Sequence, residues 1–170
     1  MIPVALPSWE EINIRYERHE DPSTLTDSDR VLLEEAKSIA EKAYAPYSRF
    51  KVGAAIRLSG ISETFSGNNQ ENVAYPSGLC AERVALFHAK AHHPDAAVEA
   101  IAIYAIPEYF SLERPITPCG ACRQALLEYE HTSETPCRVV MGSSVGTVCI
   151  FPAVKDLLPL SFFESRLGHE

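Results

Sequence analysis

The segment PCGAC (118–122) sets two thiols three residues apart. Positions i and i+3 of a helix share a face, so a single ion can take both. Pro118 suits a residue at or just before a helix start. Unpaired N–H groups and the positive end of the helix dipole lower the pKa of a thiol in a first turn toward the metal-binding thiolate. Alone, a C-x-x-C pair is ambiguous: half of a structural zinc site or a redox pair fits it better than a catalytic metal centre. The second half of the constellation is CAER (80–83), also at the predicted start of a helix, with Cys80 as a third thiolate and Glu82 two residues on. In mid-helix these two side chains would diverge, but with Cys80 at the cap and Glu82 in the first turn they converge.

Three protein ligands leave a tetrahedral Zn²⁺ one open position, the mark of a catalytic site. Water held there has a lowered pKa and attacks as hydroxide near neutral pH. Glu82 beside it can take the water's proton and pass it to a leaving amine. The order is similar to that of zinc deaminases: a Cys or His ligand, one residue, a Glu, and later P-C-x-x-C. Three thiolates on one ion leave a net charge of about −1, which weakens its Lewis acidity. Arg83 follows at once and can offset that charge by hydrogen-bonding a thiolate from behind, with Arg123 a weaker candidate. Taken singly, each residue has an ordinary role: Cys80 a core thiol, Glu82 a first-turn acid on the helix dipole, Arg83 a surface ion pair. Their coincidence with PCGAC favours the metal. Cys137 and Cys149 lie on predicted strands and read as core thiols.

The elements that must position these groups follow from periodicity and punctuation. Residues 1–25 read as an irregular N-terminal extension, and 26–170 as a single domain. Thr26 caps a helix, with Asp29 completing a capping box. Its apolar stripe is Val31, Leu32, Ala36, Ile39, Ala40 and Ala43, and Pro46 ends it. FKVGAAIRL (50–58), a Ser59-Gly60 turn and ISETFSG (61–67) predict a hairpin. The polar stretch NNQENVAYPSG (68–78) is a functional-loop candidate. Helices are expected over about 80–92 and 119–130, a buried central strand over 98–106, further strands over 136–142 and 145–151, and a short helix after Ala153. Strands alternating with helices imply an α/β fold, a three-layer α/β/α domain around a central mixed sheet.

Composition narrows the partners. The 170 residues are 46% hydrophobic and 22% charged, as in an ordinary globular protein, with no apolar run long enough for a membrane span. A net charge of −8 argues against nucleic acid. The opening MIPVALPSWEEINIRYERHED lacks the basic and long apolar regions of a signal peptide. Five cysteines, an odd number, do not suggest a disulfide framework. A cytoplasmic protein acting on a small neutral or cationic ligand is expected.

Beyond the metal motif, AYAPYSRFKVGAA (43–55), GNNQENVAYPSGLCAERVAL (67–86), ITPCGACRQ (116–124) and LLPLSF (157–162) resemble the small, homotetrameric class of zinc-dependent cytidine deaminases. The resemblance runs from about Ala43 to Phe162. It implies one Zn²⁺ per subunit and hydrolysis of cytidine and 2′-deoxycytidine to the uridines with release of ammonia, as in pyrimidine salvage. By position, it assigns Asn69 and Glu71 to the ribose 3′-hydroxyl and Phe50 to the pyrimidine face. The Ala81 N–H and the Thr117 carbonyl would read the base edges, and Glu82 would also bond N3. Tyr75 and Phe162 would reach a neighbour's active site, so that each pocket is completed across a subunit interface. The larger dimeric class has His in place of the first Cys and a second, inactive domain; Cys80 sides with the tetrameric class. Two alternatives remain open at this stage: an aminonucleoside antibiotic (blasticidin-type) deaminase with the same zinc chemistry, and a structural zinc module. The latter needs a fourth ligand from His88, His92 or His93, and His88 is about two helical turns from Cys80.

Overall fold

The computed structural model describes residues 8–164. Six strands form one sheet: β1 (Glu17–His19), β2 (Phe50–Leu58), β3 (Thr64–Asn68), β4 (Val98–Pro107), β5 (Arg138–Gly142) and β6 (Val148–Phe151). Their spatial order is β1-β6-β5-β4-β2-β3. Only β4 and β5 pair in parallel, and the sheet is therefore mixed. Three helices cover it: α1 (Asp27–Ala40), α2 (Ala81–His92) and α3 (Gly120–Ser133). Leu32, Leu33 and Ala36 of α1 pack on Ala55, Ala100, Ala102 and Val140 on one face. Ala85, Leu86 and Ala89 of α2 with Leu126 and Leu127 of α3 pack on Ile56, Ile101, Ile103 and Met141 on the other. The three-layer α/β/α architecture is as expected. Among the described residues no helix is long and apolar enough to cross a membrane.

Two glycines bring the helices close. A Cβ at Gly53 would lie 2.0 Å from the Ala36 carbonyl oxygen of α1. A Cβ at Gly67 would lie 2.5 Å from the Ala85 nitrogen of α2. The second contact seats the start of α2 directly on β3.

Several boundaries differ from the expectation. The N-terminal segment is not irregular throughout: Glu17–His19 pairs antiparallel with β6, and Tyr16 stacks on Phe151 with ring centroids 4.9 Å apart. A strand of three charged residues carries too little periodicity to be read from sequence, but it satisfies backbone groups on the outer edge of β6. The first helix stops at Ala40, six residues before Pro46. Tyr44 has left it to bridge Gln70, its N–H donating to the Asn69 carbonyl at 3.1 Å. Val31, expected in the apolar stripe, is exposed. Thr26 does cap α1, accepting the Asp29 N–H at 3.2 Å, a bond type that contributes about 1 kcal/mol. The Asp29 carboxylate does not complete a capping box, because it turns to Arg138, whose Nε donates to it at 3.1 Å.

Candidate metal centre and active-site cleft

Strand direction explains why two distant motifs meet. β3 and β4 both run antiparallel to β2 and flank it, so they point the same way. Asn68 near the end of β3 and Tyr104 near the end of β4 both stand opposite Gly53. The helices that follow these strands therefore start at the same end of the sheet, beside the beginning of β2. Cys80 is the N-cap of α2 and Cys119 the N-cap of α3, both with extended backbone, and Cys122 is buried in the first turn of α3.

The Sγ atoms of Cys80 and Cys119 are 3.9 Å apart and those of Cys119 and Cys122 3.4 Å apart, and all three lie within 4.8 Å of one another. Thiolates about 2.3 Å from one tetrahedral Zn²⁺ would stand about 3.8 Å apart, so the donor set fits the ion. No other cluster of three ligand atoms occurs among the described residues. The thiols differ in acidity. Cys80 is drawn down to about 5, mainly by the hydrogen bond from Cys122 and then, against its own burial, by Arg83. Cys122 is pushed up, first by its bond to the Cys80 thiolate and then by burial. Arg83 Nη2 donates to Cys80 Sγ at 3.9 Å, the contact expected from charge balance. Its Nε is buried without a hydrogen-bond partner. Arg123 takes no part here. It donates to the carbonyls of Pro118 (2.7 Å) and Leu157 (2.8 Å) and to Thr117 Oγ1 (2.8 Å), and so braces the loop before α3.

Glu82, in the first turn of α2, is 5% exposed yet lines the cleft. Burial pushes its carboxyl above the ordinary carboxylate value, and the Cys80 thiolate adds to the effect. The cleft has a volume of about 820 Å³. Cys80, Cys119, Ala81, Glu82, Arg83 and Thr117 are among its lining residues. Asn69 and Glu71, from the polar loop, also line it, with Tyr75 at 76% exposure.

Asn69 Oδ1 accepts the Val52 N–H at 2.7 Å, and its Nδ2 donates to the Phe50 carbonyl at 2.9 Å. Glu71 Oε2 accepts the N–H groups of Tyr47 (2.8 Å) and Ser48 (3.3 Å), and Oε1 accepts the Ser48 hydroxyl. Burial alone would raise the Glu71 pKa, but these bonds outweigh it and hold the carboxyl below its usual value. Each group keeps spare capacity: an amide has two N–H donors and two lone pairs, a carboxylate about four acceptor sites.

Phe50 is half-buried and faces Phe110 at 6.1 Å between centroids; Val52, not Phe50, is among the cleft-lining residues. Phe162 is 73% exposed and lies outside its own chain's cleft lining, with its carbonyl accepting from Gln124 Nε2 at 3.0 Å. Sequence reasoning passed over Tyr47, Ser48 and Gln70, which also line the cleft. The available signal was the hydroxyl of Ser48, two residues before Phe50 in a turn. Cys137 is fully buried and Cys149 half-buried against the core, both with raised pKa through burial.

The chain belongs to the family described as cytidine and deoxycytidylate deaminase zinc-binding region, whose profile matches residues 26–138. Its relatives include a cytidine deaminase of Halalkalibacterium halodurans, 37% identical over 133 residues, which are 78% of this chain and 92% of the relative. Among solved structures it resembles the cytidine deaminase of Burkholderia pseudomallei, with 41% identity and a TM-score of 0.68 over 81% of this chain and all of the other. It also resembles that of Mycobacterium tuberculosis, with 30% identity and a TM-score of 0.61 over 82% of this chain and 99% of the other.

Proposed function

We propose that this cleft deaminates cytidine and 2′-deoxycytidine hydrolytically, consuming water and releasing ammonia and the corresponding uridine. The observation that carries the reading is the convergence of Cys80, Cys119 and Cys122 beside a buried Glu82 in a cleft that also holds Asn69 and Glu71. Zn²⁺ on the three thiolates supplies Lewis acidity and lowers the pKa of a water molecule. The chain's own groups do the rest. Glu82, shielded from bulk solvent, takes a proton from the attacking water and gives it to ring N3, then takes the second proton from the new C4 hydroxyl and gives it to the departing amine as the C4–N bond breaks. Arg83 neutralises part of the thiolate charge through its contact with Cys80.

The Ala81 N–H and the Thr117 carbonyl, both on the cleft wall, are assigned to the edges of the base. Val52, which lines the cleft, is assigned to the face of the pyrimidine, with Phe50 two residues back on the same face of β2 and packed against the core. Asn69 and Glu71 hold the sugar 3′-hydroxyl with their remaining donor and acceptor positions. Their bonds to the backbone of residues 47–52 fix them before the substrate arrives, which lowers the ordering cost of binding.

The working form is proposed to be a homotetramer. Support comes from the exposed apolar side chains of the polar loop, where Val73 and Tyr75 are 78% and 76% exposed, and from Phe162 outside its own cleft. Tyr75 and Phe162 would then complete a neighbouring site. Five cysteines with no disulfide suit a reducing compartment such as the cytoplasm.

The test is a turnover assay on purified, zinc-quantified protein, following the absorbance change as cytidine becomes uridine. Intact cytidine and deoxycytidine in the presence of one bound zinc per chain would overturn the assignment. Sedimentation velocity tests the assembly, and a fully active monomer would refute the shared site.

A further inference from the structure

The end of α2 carries three histidines that the metal centre does not use. His88, His92 and His93 surround Phe65 of β3 with ring centroids 5.4, 6.0 and 5.3 Å from it. His88 and His92 are four residues apart, one above the other on a single helix face, and both are exposed. His88 Nδ1 lies 3.3 Å from the Ser66 carbonyl oxygen, and His92 Nδ1 lies 2.9 Å from the His88 carbonyl oxygen. A carbonyl only accepts, so each neutral ring carries its proton on Nδ1 and its lone pair on Nε2. Metal-binding imidazoles are held in this way, one nitrogen donating to the protein and the other left for the ion.

The spacing of the rings agrees. An ion about 2.0–2.1 Å from a nitrogen of each of two imidazoles, at an angle of about 90–110°, places their centroids about 5 Å apart. The centroids of His88 and His92 are 5.0 Å apart. Phe65 behind both rings limits their rotation, so less side-chain entropy is lost on binding.

We propose that His88 and His92 chelate a borderline divalent cation, Ni²⁺, Cu²⁺ or Zn²⁺, at a second site separate from the three thiols. His93 is not a ligand, because no group of three ligand atoms other than the thiols comes together among the described residues. The ion staples the last turn of α2, and through the Ser66 contact it ties that turn to β3. Solvent supplies the remaining ligands, so the site is weaker than the thiolate centre and fills after it.

The experiment is a calorimetric titration of Ni²⁺ into the zinc-loaded protein, with zinc release, melting temperature and cytidine turnover followed in parallel. The expected result is one Ni²⁺ per chain with a dissociation constant in the micromolar range, a raised melting temperature and no zinc release. H88Q and H92Q should each weaken binding about tenfold or more, since a single imidazole loses the effective concentration of the second. H93Q should leave binding unchanged, and all three variants should keep their zinc and turnover. No Ni²⁺ uptake, uptake only in exchange for zinc, uptake that survives both H88Q and H92Q, or loss with H93Q would each overturn the proposal.

Discussion

Glu71 Oε2 accepts the backbone N–H of Tyr47 at 2.8 Å, across 24 residues of sequence. The bond joins the loop after β3 to the turn before β2, and the Ser48 hydroxyl reinforces it from the other carboxylate oxygen. The same carboxylate thus shapes the cleft and faces its contents. Substrate affinity should depend on it more than the chemical step does.

Replacing Glu71 with Gln removes a charged acceptor, and hydrogen bonds to charged groups are worth about 1.5–3 kcal/mol. KM for cytidine should rise roughly tenfold to a hundredfold, with zinc content unchanged and a smaller effect on kcat. Steady-state kinetics at fixed zinc occupancy will show whether KM moves; an unaltered KM would remove Glu71 from the sugar site.

Glu82→Gln keeps the shape of the side chain and loses its proton-transfer chemistry. We expect kcat to fall roughly 10²- to 10⁴-fold, the usual worth of a general acid–base group. Zinc content and the circular dichroism spectrum should match the parent. A catalytically silent substitution would instead favour a structural zinc module.

Gly67→Ala drives a methyl group to 2.5 Å from the Ala85 nitrogen and 2.8 Å from Val84 Cγ1. Helix α2 must shift off β3 and carry Cys80 and Glu82 with it. The overpacking should cost about 1–3 kcal/mol in urea unfolding and lower turnover as well. Full activity would mean that the metal centre tolerates movement of α2.

Arg138 is the partner of the buried Asp29 and also reaches Glu17 of β1 at 3.3 Å. Arg138→Met leaves the Asp29 carboxylate unpaired in the interior, a change worth about 3–5 kcal/mol. The double variant Asp29→Asn, Arg138→Met should recover much of that loss. Chemical denaturation of the single and double variants gives the coupling directly.

The Arg138 hydrogen bond holds Glu17 below its ordinary value of 4.5. A folded-state pKa below the unfolded one contributes stability that is full above the unfolded value and is lost as pH falls through the folded one. Glu17→Gln should therefore be less stable than the parent near neutrality, and the gap should close as the pH drops below about 4.5. A melting-temperature difference that stays constant from pH 7 to pH 3 would contradict the pairing.

Sequence alone determined the chemistry. Cys80, Glu82, Cys119 and Cys122 announce themselves because metal binding and proton transfer need particular atoms, and helix starts are marked locally by Pro118 and by the change of periodicity. The layers of the fold were legible for the same reason, since each helix and strand carries its own apolar period. Tertiary structure decided what depends on partners far along the chain. β3 and β4 flank β2 in the same sense, and only that brings two helix N-termini together. Glu17–His19 became a strand because β6 offered an open edge, and α1 ended early because Tyr44 was drawn to Gln70. Asp29 left its capping role for Arg138, 109 residues away. The polar loop holding Asn69 and Glu71 could be picked out by composition. That it is braced by the backbone of residues 47–52, in the same cleft as Cys80 and Cys119, is a fact of distances that no local pattern encodes.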